Sequence, residues 1–119
     1  MTAATESSVG PAVAYYEAMN DKNISEMGRH LHPDIHLISP MENITGKQAV
    51  LDAAQRLLPM IKSVNMRARF GSGEQAMLAY DMVFAEPAGM CRTAALMTIK
   101  NGQIVRNELF FDARPFDRK

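Results

Sequence analysis

All three histidines of the chain lie in one stretch, HLHPDIH at residues 30–36, and histidines so closely spaced raise metal ligation and proton transfer first. Their placement argues against both. His30 and His32 fall at the end of a short helical pattern, two residues apart and so pointing away from each other, while His36 belongs to the mixed face of a strand. They are expected as helix-end, surface or interface residues, and neither a metal nor any other cofactor is expected. Cys91 is the only cysteine, which rules out an intrachain disulfide and a thiolate cluster. Four other polar residues attract attention. Tyr15 and Tyr80 are either polar handles for a ligand or core aromatics whose hydroxyls reach the rim. Asn107 stands among apolar neighbours on an inward face, where an amide needs partners: a water, a ligand, Tyr15 or Ser39. Ser39, just before Pro40, either faces the interior or merely ends a strand. Arg106 and Glu108 read as solvated or interface ion pairs.

These residues must be held by elements visible in the periodicity. Residues 1–8 read as a flexible tail, and residues 9–119 as one domain. Pro11 suits a first helical turn, after which Ala12, Tyr15, Tyr16 and Met19 recur at helical spacing up to Asn20. Asn23 with Glu26 marks a second start, for a short helix carrying Ile24, Met27 and Leu31 and closed by Pro33. DIHLIS alternates as a strand that Pro40 ends. Thr45 with Gln48 reads as a capping box for a third helix with an apolar stripe of Val50, Ala53, Ala54, Leu57, Leu58 and Ile61, bent or ended by Pro59. From Ser63 the period is two. Val64, Met66, Ala68 and Phe70 share one face, then Leu78, Tyr80, Met82 and Phe84, then Thr93, Ala95, Met97 and Ile99, then Val105, Asn107, Leu109 and Phe111. GSGE, EPAG and Asn101-Gly102 supply the turns of an antiparallel meander. The apolar face must meet the helices. The other face mixes Asp81, Thr98, Arg106 and Glu108 with Val83, Leu96, Ile104 and Phe110, too apolar a set to be left bare, and predicts an isologous homodimer.

The order helix, helix, strand, long helix and four antiparallel strands resembles the nuclear transport factor two superfamily, in its SnoaL-like and ketosteroid-isomerase-like branches. The carriers are YYEAMNDKNISEM, HPDIHLISPMENITGKQAV and LMTIKNGQIVRNELFFDARPF, over roughly residues 8–116. The resemblance implies an α+β cone: a curved antiparallel sheet around a long helix, with two further N-terminal helices, enclosing a blind, largely apolar cavity. It implies a ligand pocket of Tyr15, Met19, Leu37, Ser39, Leu57, Met60, Tyr80, Met82, Phe84, Ala95, Met97, Asn107, Leu109 and Phe111. On the isomerase pattern Tyr15 takes the place of the tyrosine that hydrogen-bonds an enolate. Ser39 stands where the aspartate base belongs and Ala95 where the protonated aspartate belongs. Tyr15, Ser39 and Asn107 are therefore the weak catalytic candidates, without a recognisable base, and isomerisation of a 3-oxo steroid is not expected.

Composition narrows the partners. Thirteen basic and thirteen acidic residues cancel, and neither forms a block fit to follow a phosphate backbone or an anionic membrane. The N-terminal segment lacks a basic-then-apolar leader pattern, and no window approaches the ~18 apolar residues of a spanning helix. A cytoplasmic protein without nucleic-acid or membrane partners is expected. The leading expectation is a SnoaL-like homodimer that binds a small, mostly apolar molecule. Its rivals are a cofactor-free isomerase or lyase acting on a carbonyl-containing metabolite, and a non-catalytic dimeric interaction module.

Overall fold

The computed structural model describes residues 2–116, with side chains from residue 9 onward. Helices α1 (Thr2–Asn20) and α2 (Ile24–Arg29) lead into strand β1 (Leu31–Ile38) and a short β2 (Asn43–Thr45). Helix α3 (Lys47–Leu57) and a 3-10 turn (Leu58–Met60) precede the long strands β3 (Ile61–Ser72), β4 (Gln75–Phe84), β5 (Met90–Lys100) and β6 (Gln103–Phe110). One curved six-stranded sheet results, in the order β2-β1-β6-β5-β4-β3, with β1 parallel to β6 and every other pair antiparallel. The helices cover one face of it, so the fold is the expected α+β cone.

Local chemistry explains most boundaries. The Asn23 side chain caps α2 by accepting from the Glu26 N–H at 3.1 Å. Pro59 opens the 3-10 turn that ends α3. Asn101 and Gly102 both take positive φ, 53° and 78°, as the tight turn between β5 and β6 demands. The free edge of β3 is blunted from the α1–α2 junction: Asn20 Oδ1 accepts from the Val64 N–H at 2.7 Å, and Lys22 Nζ donates to the Ile61 carbonyl.

Several expectations are corrected. The α1 backbone begins at Thr2, not at Pro11, and runs through the residues read as a tail; Pro11 sits inside the helix and forgoes one backbone bond. Gly46 with φ 102°, not Thr45, precedes α3, because Thr45 is engaged in the small strand β2 that alternation over three residues could not reveal. Leu31 and Pro33 belong to β1; Pro33 lies where the β1–β6 register shifts between Leu31 and His36, so its missing N–H costs no ladder bond there.

Two bulges matter most. Met66 pairs with Tyr80 but Ala68 with Ala79, so an extra residue in β3 reverses which side chains face inward. Phe70, assigned to the apolar face, therefore pairs with Met77 on the outer face and is 69% exposed. The mirror case is β6. Thr98 pairs with Arg106 but Ile99 with Ile104, which turns Ile104 away from the outer face into the core, 0% exposed. Elsewhere the alternation holds: Leu78, Tyr80, Met82 and Phe84 are buried, as are Thr93, Ala95, Met97 and Ile99.

This register carries a direct test. Ile104→Ala should destabilise the protein by about 2–5 kcal/mol in urea unfolding, and Phe70→Ala by clearly less. A reversed order of the two would place the bulges wrongly.

Candidate functional site

The sheet's concave face, α1 and α3 enclose a cavity of about 450 Å³, within the ~300–1,000 Å³ usual for small-molecule sites. Each wall has a distinct source. Helix α1 contributes Tyr15, Tyr16 and Met19, whose spacing directs three large side chains to one side of the helix. From α3 and its terminal turn come Val50, Ala53, Ala54, Leu57 and Met60. Strands β4, β5 and β6 add Tyr80, Met82, Phe84, Cys91, Thr93, Asn107 and Leu109, and the rim is completed by Leu37, Ser39, Met41, Glu42, Phe111 and Phe116. Of the residues expected to form a pocket, all border this cavity except Ala95 and Met97. Both are fully buried in the core, and neither borders the cavity.

The polar part of the wall is a cluster around Tyr16. Asn107 Nδ2 donates to the Tyr16 hydroxyl at 3.0 Å, and both side chains are buried. The asparagine's inward position thus finds its partner in Tyr16 and not in Tyr15 or Ser39. The tyrosine rings form a packed series, with Tyr15 and Tyr16 edge to face at 5.1 Å and Tyr16 and Tyr80 tilted at 4.5 Å. Burial raises the pKa of all three hydroxyls; hydrogen bonding with Asn107 and Tyr80 pulls that of Tyr16 partly back. Tyr15 makes no hydrogen bond to any other described residue.

Ser39 has a different job. Its hydroxyl accepts from the Met41 and Glu42 N–H groups, both at 3.1 Å, and donates to the Glu42 carbonyl at 3.2 Å. It stitches the turn between β1 and β2 and so holds Met41 and Glu42 at the rim. A serine engaged three ways has no capacity left for proton transfer. Glu42, exposed at that rim, is the only carboxylate among the described lining residues, which include no arginine, lysine or histidine. Cys91 is a poor nucleophile, because burial pushes its thiol pKa up. Asp112 is exposed and paired with Arg114, which draws its pKa down to about 2. His30 caps α2 with Nε2 3.4 Å from Glu26, His32 Nδ1 accepts from the Asp34 N–H, and His36 lies beside Arg106 in the β1–β6 register. Among the described residues no group of three potential ligands surrounds a metal position. A shallower groove of about 650 Å³ between α1 and the end of β3, lined by Val9, Val13, Glu17, Arg69 and Phe70 among others, is far more open.

Tyr16 is the functional candidate that sequence reasoning missed. Its signal was present: adjacent tyrosines on one helix, and an inward asparagine in need of a partner. Glu42 and Thr93 gave no signal, since one depends on a turn and the other was counted only as core.

With this geometry established, comparison with known proteins places the chain. The SnoaL-like domain model matches residues 12–107. The chain belongs to the SnoaL-like family. No curated protein matches it. Among solved structures, a Kribbella flavida protein superposes with a TM-score of 0.87 at 25% identity, over 98% of this chain and 93% of its own. A candidate ketosteroid isomerase from the same organism reaches 0.82 at 18%, covering 91% and 79%. An LEH-like epoxide hydrolase from M. tuberculosis reaches 0.80 at 12%, covering 92% and 85%. The last two likenesses show the fold alone.

Raised tyrosine pKa values fix a pH response. A group that holds its proton longer when folded contributes stability that is present below its unfolded value, 10.0, and lost as pH rises beyond it. Since Tyr15, Tyr16 and Tyr80 are all the tyrosines in the chain, tyrosinate absorbance should stay absent above that pH until circular dichroism reports unfolding. Tyrosinate appearing with the fold intact would contradict their burial.

Proposed function

We propose that this SnoaL-like protein binds a small, uncharged and mostly apolar molecule in its cone. The observation that carries the reading is an apolar cavity of about 450 Å³ whose wall includes the Asn107–Tyr16 pair and a Tyr15 hydroxyl unengaged among the described residues. Apolar burial supplies affinity, while the few polar groups orient the ligand. Tyr15, Tyr80 and Asn107 are its binding residues, with Tyr16 between them; Ser39 acts only through the turn.

A homodimer through the outer sheet face goes with this reading. Met77, Phe70 and Phe110 are exposed there, and Val83 and Leu96 partly so. Both signs of charge lie among them: Asp81 sits between Arg67 and Arg92 at 3.6 and 3.3 Å, and Arg106 beside Glu108 at 3.7 Å. Such a face can complement a copy of itself.

A second reading, a cofactor-free isomerase or lyase of a carbonyl-containing metabolite, is favoured by one observation. Glu42 puts a carboxylate at the cavity rim, where a base would have to reach the substrate. Under that reading Glu42→Gln lowers turnover by a factor of roughly 100 or more and leaves binding intact.

The binding reading is tested with an environment-sensitive apolar fluorophore. Saturable binding should be weakened by Leu109→Arg, which puts a charge into the wall, and not by Leu96→Arg on the outer face. Light scattering on the same proteins should give a dimeric mass for the parent and a monomeric one for Leu96→Arg. Equal fluorophore binding by the parent and Leu109→Arg would sink the cavity as the site.

A further inference from the structure

Asn107 is 4% exposed and borders the cavity, yet only one end of its amide is satisfied from within. Nδ2 donates to the Tyr16 oxygen, whereas Oδ1 is buried without a partner among the described residues. An amide nitrogen cannot accept, so the Tyr16 proton turns elsewhere and cannot serve Oδ1 from that contact. Leaving such an acceptor bare carries its whole desolvation cost, and a methyl-sized apolar residue would have avoided it. The surrounding wall limits what can meet it. Among the described residues no cationic side chain lines the cavity, and the one carboxylate that does, Glu42, is at the rim. A carboxylate or phosphate group would therefore be buried without a counter-charge. A bare ketone fares no better at this spot, since it brings a second acceptor to face Oδ1.

We infer that the occupant of the cone is an uncharged alcohol or phenol whose hydroxyl donates to Asn107 Oδ1. The same hydroxyl oxygen keeps its lone pairs, and the Tyr15 O–H, unengaged among the described residues, is a donor for them. The polar end of the ligand is thus set at the Tyr15–Tyr16–Asn107 wall, and its apolar body lies against Leu57, Met82 and Leu109. This rests on the ligand-binding reading above and narrows it from an apolar molecule to one with a neutral donor.

Three matched probes separate the two levels: a naphthol, its methyl ether and the corresponding naphthoate, titrated by calorimetry into the full-length protein. The naphthol should bind about tenfold more tightly than the ether, as a hydrogen bond to a buried acceptor warrants, and naphthoate should bind weakest. Asn107→Leu should abolish the difference between naphthol and ether. If that variant does not fold, Tyr15→Phe should still reduce the naphthol preference, and the three affinities of the parent decide on their own. Equal or tighter binding of the ether, or tightest binding of naphthoate, overturns the donor inference and leaves the apolar site standing. Failure of all three to bind removes the site and this inference with it.

Discussion

The hydrogen bond from the Asn107 amide to the Tyr16 hydroxyl, buried and 3.0 Å long, joins residues 91 positions apart and sets how α1 lies against the sheet. An amide in the middle of an apolar strand face has to be met, and a long aromatic side chain reaching from the helix meets it. The Tyr16 ring also packs on Tyr80 of β4 at 4.5 Å, and Leu78, Met97 and Ile104 are fully buried, while the cavity lies beside this tyrosine contact. It is an enclosed space inside an otherwise dense core. Met19, Met60 and Met82 suit that space, because an unbranched thioether adapts its conformation to whatever it touches.

Sheet curvature is the second requirement. The bulges near Met66 in β3 and near Ile104 in β6 each bend a strand and re-aim the side chains beyond it. One consequence is the exposed pair Phe70 and Met77, and the other is the buried pair Ile99 and Ile104. The same two features mark the limit of what the amino-acid sequence discloses. Period-two alternation located β3 to β6 and their apolar face because a half-buried sheet must alternate. A bulge adds one residue without changing composition, so alternation counted through it assigns Phe70 and Ile104 to the wrong sides. Helices α2 and α3 were legible from their apolar stripes, and β2 was not, since three residues carry no period.

The cavity was legible to the extent that inward alternation and the family resemblance agree. Tyr80, Met82 and Phe84 on β4, and Asn107 and Leu109 on β6 beyond its bulge, all border it. Ala95 and Met97 face the same way but lie in the dense core, a distinction of depth that alternation cannot express. Ser39 was visible as a residue and not as a role: three hydrogen bonds within one turn depend on a backbone path the residues alone do not reveal. The fold is shared with proteins described as an isomerase and an epoxide hydrolase, so chemistry resides in the wall and not in the cone. Here that wall joins neutral tyrosines to an asparagine, and among the described residues the one carboxylate, Glu42, is at the rim.

The most direct measurement is a high-resolution experimental structure of the purified protein, inspected for density in the space between Tyr15, Asn107 and Leu109. The account predicts an open cavity with a molecule or ordered water within hydrogen-bonding distance of Asn107 Oδ1, and Tyr16 bonded to Nδ2. A cavity closed by Met60, Phe111 or Phe116 side chains, with Asn107 satisfied entirely from within the chain, would contradict it.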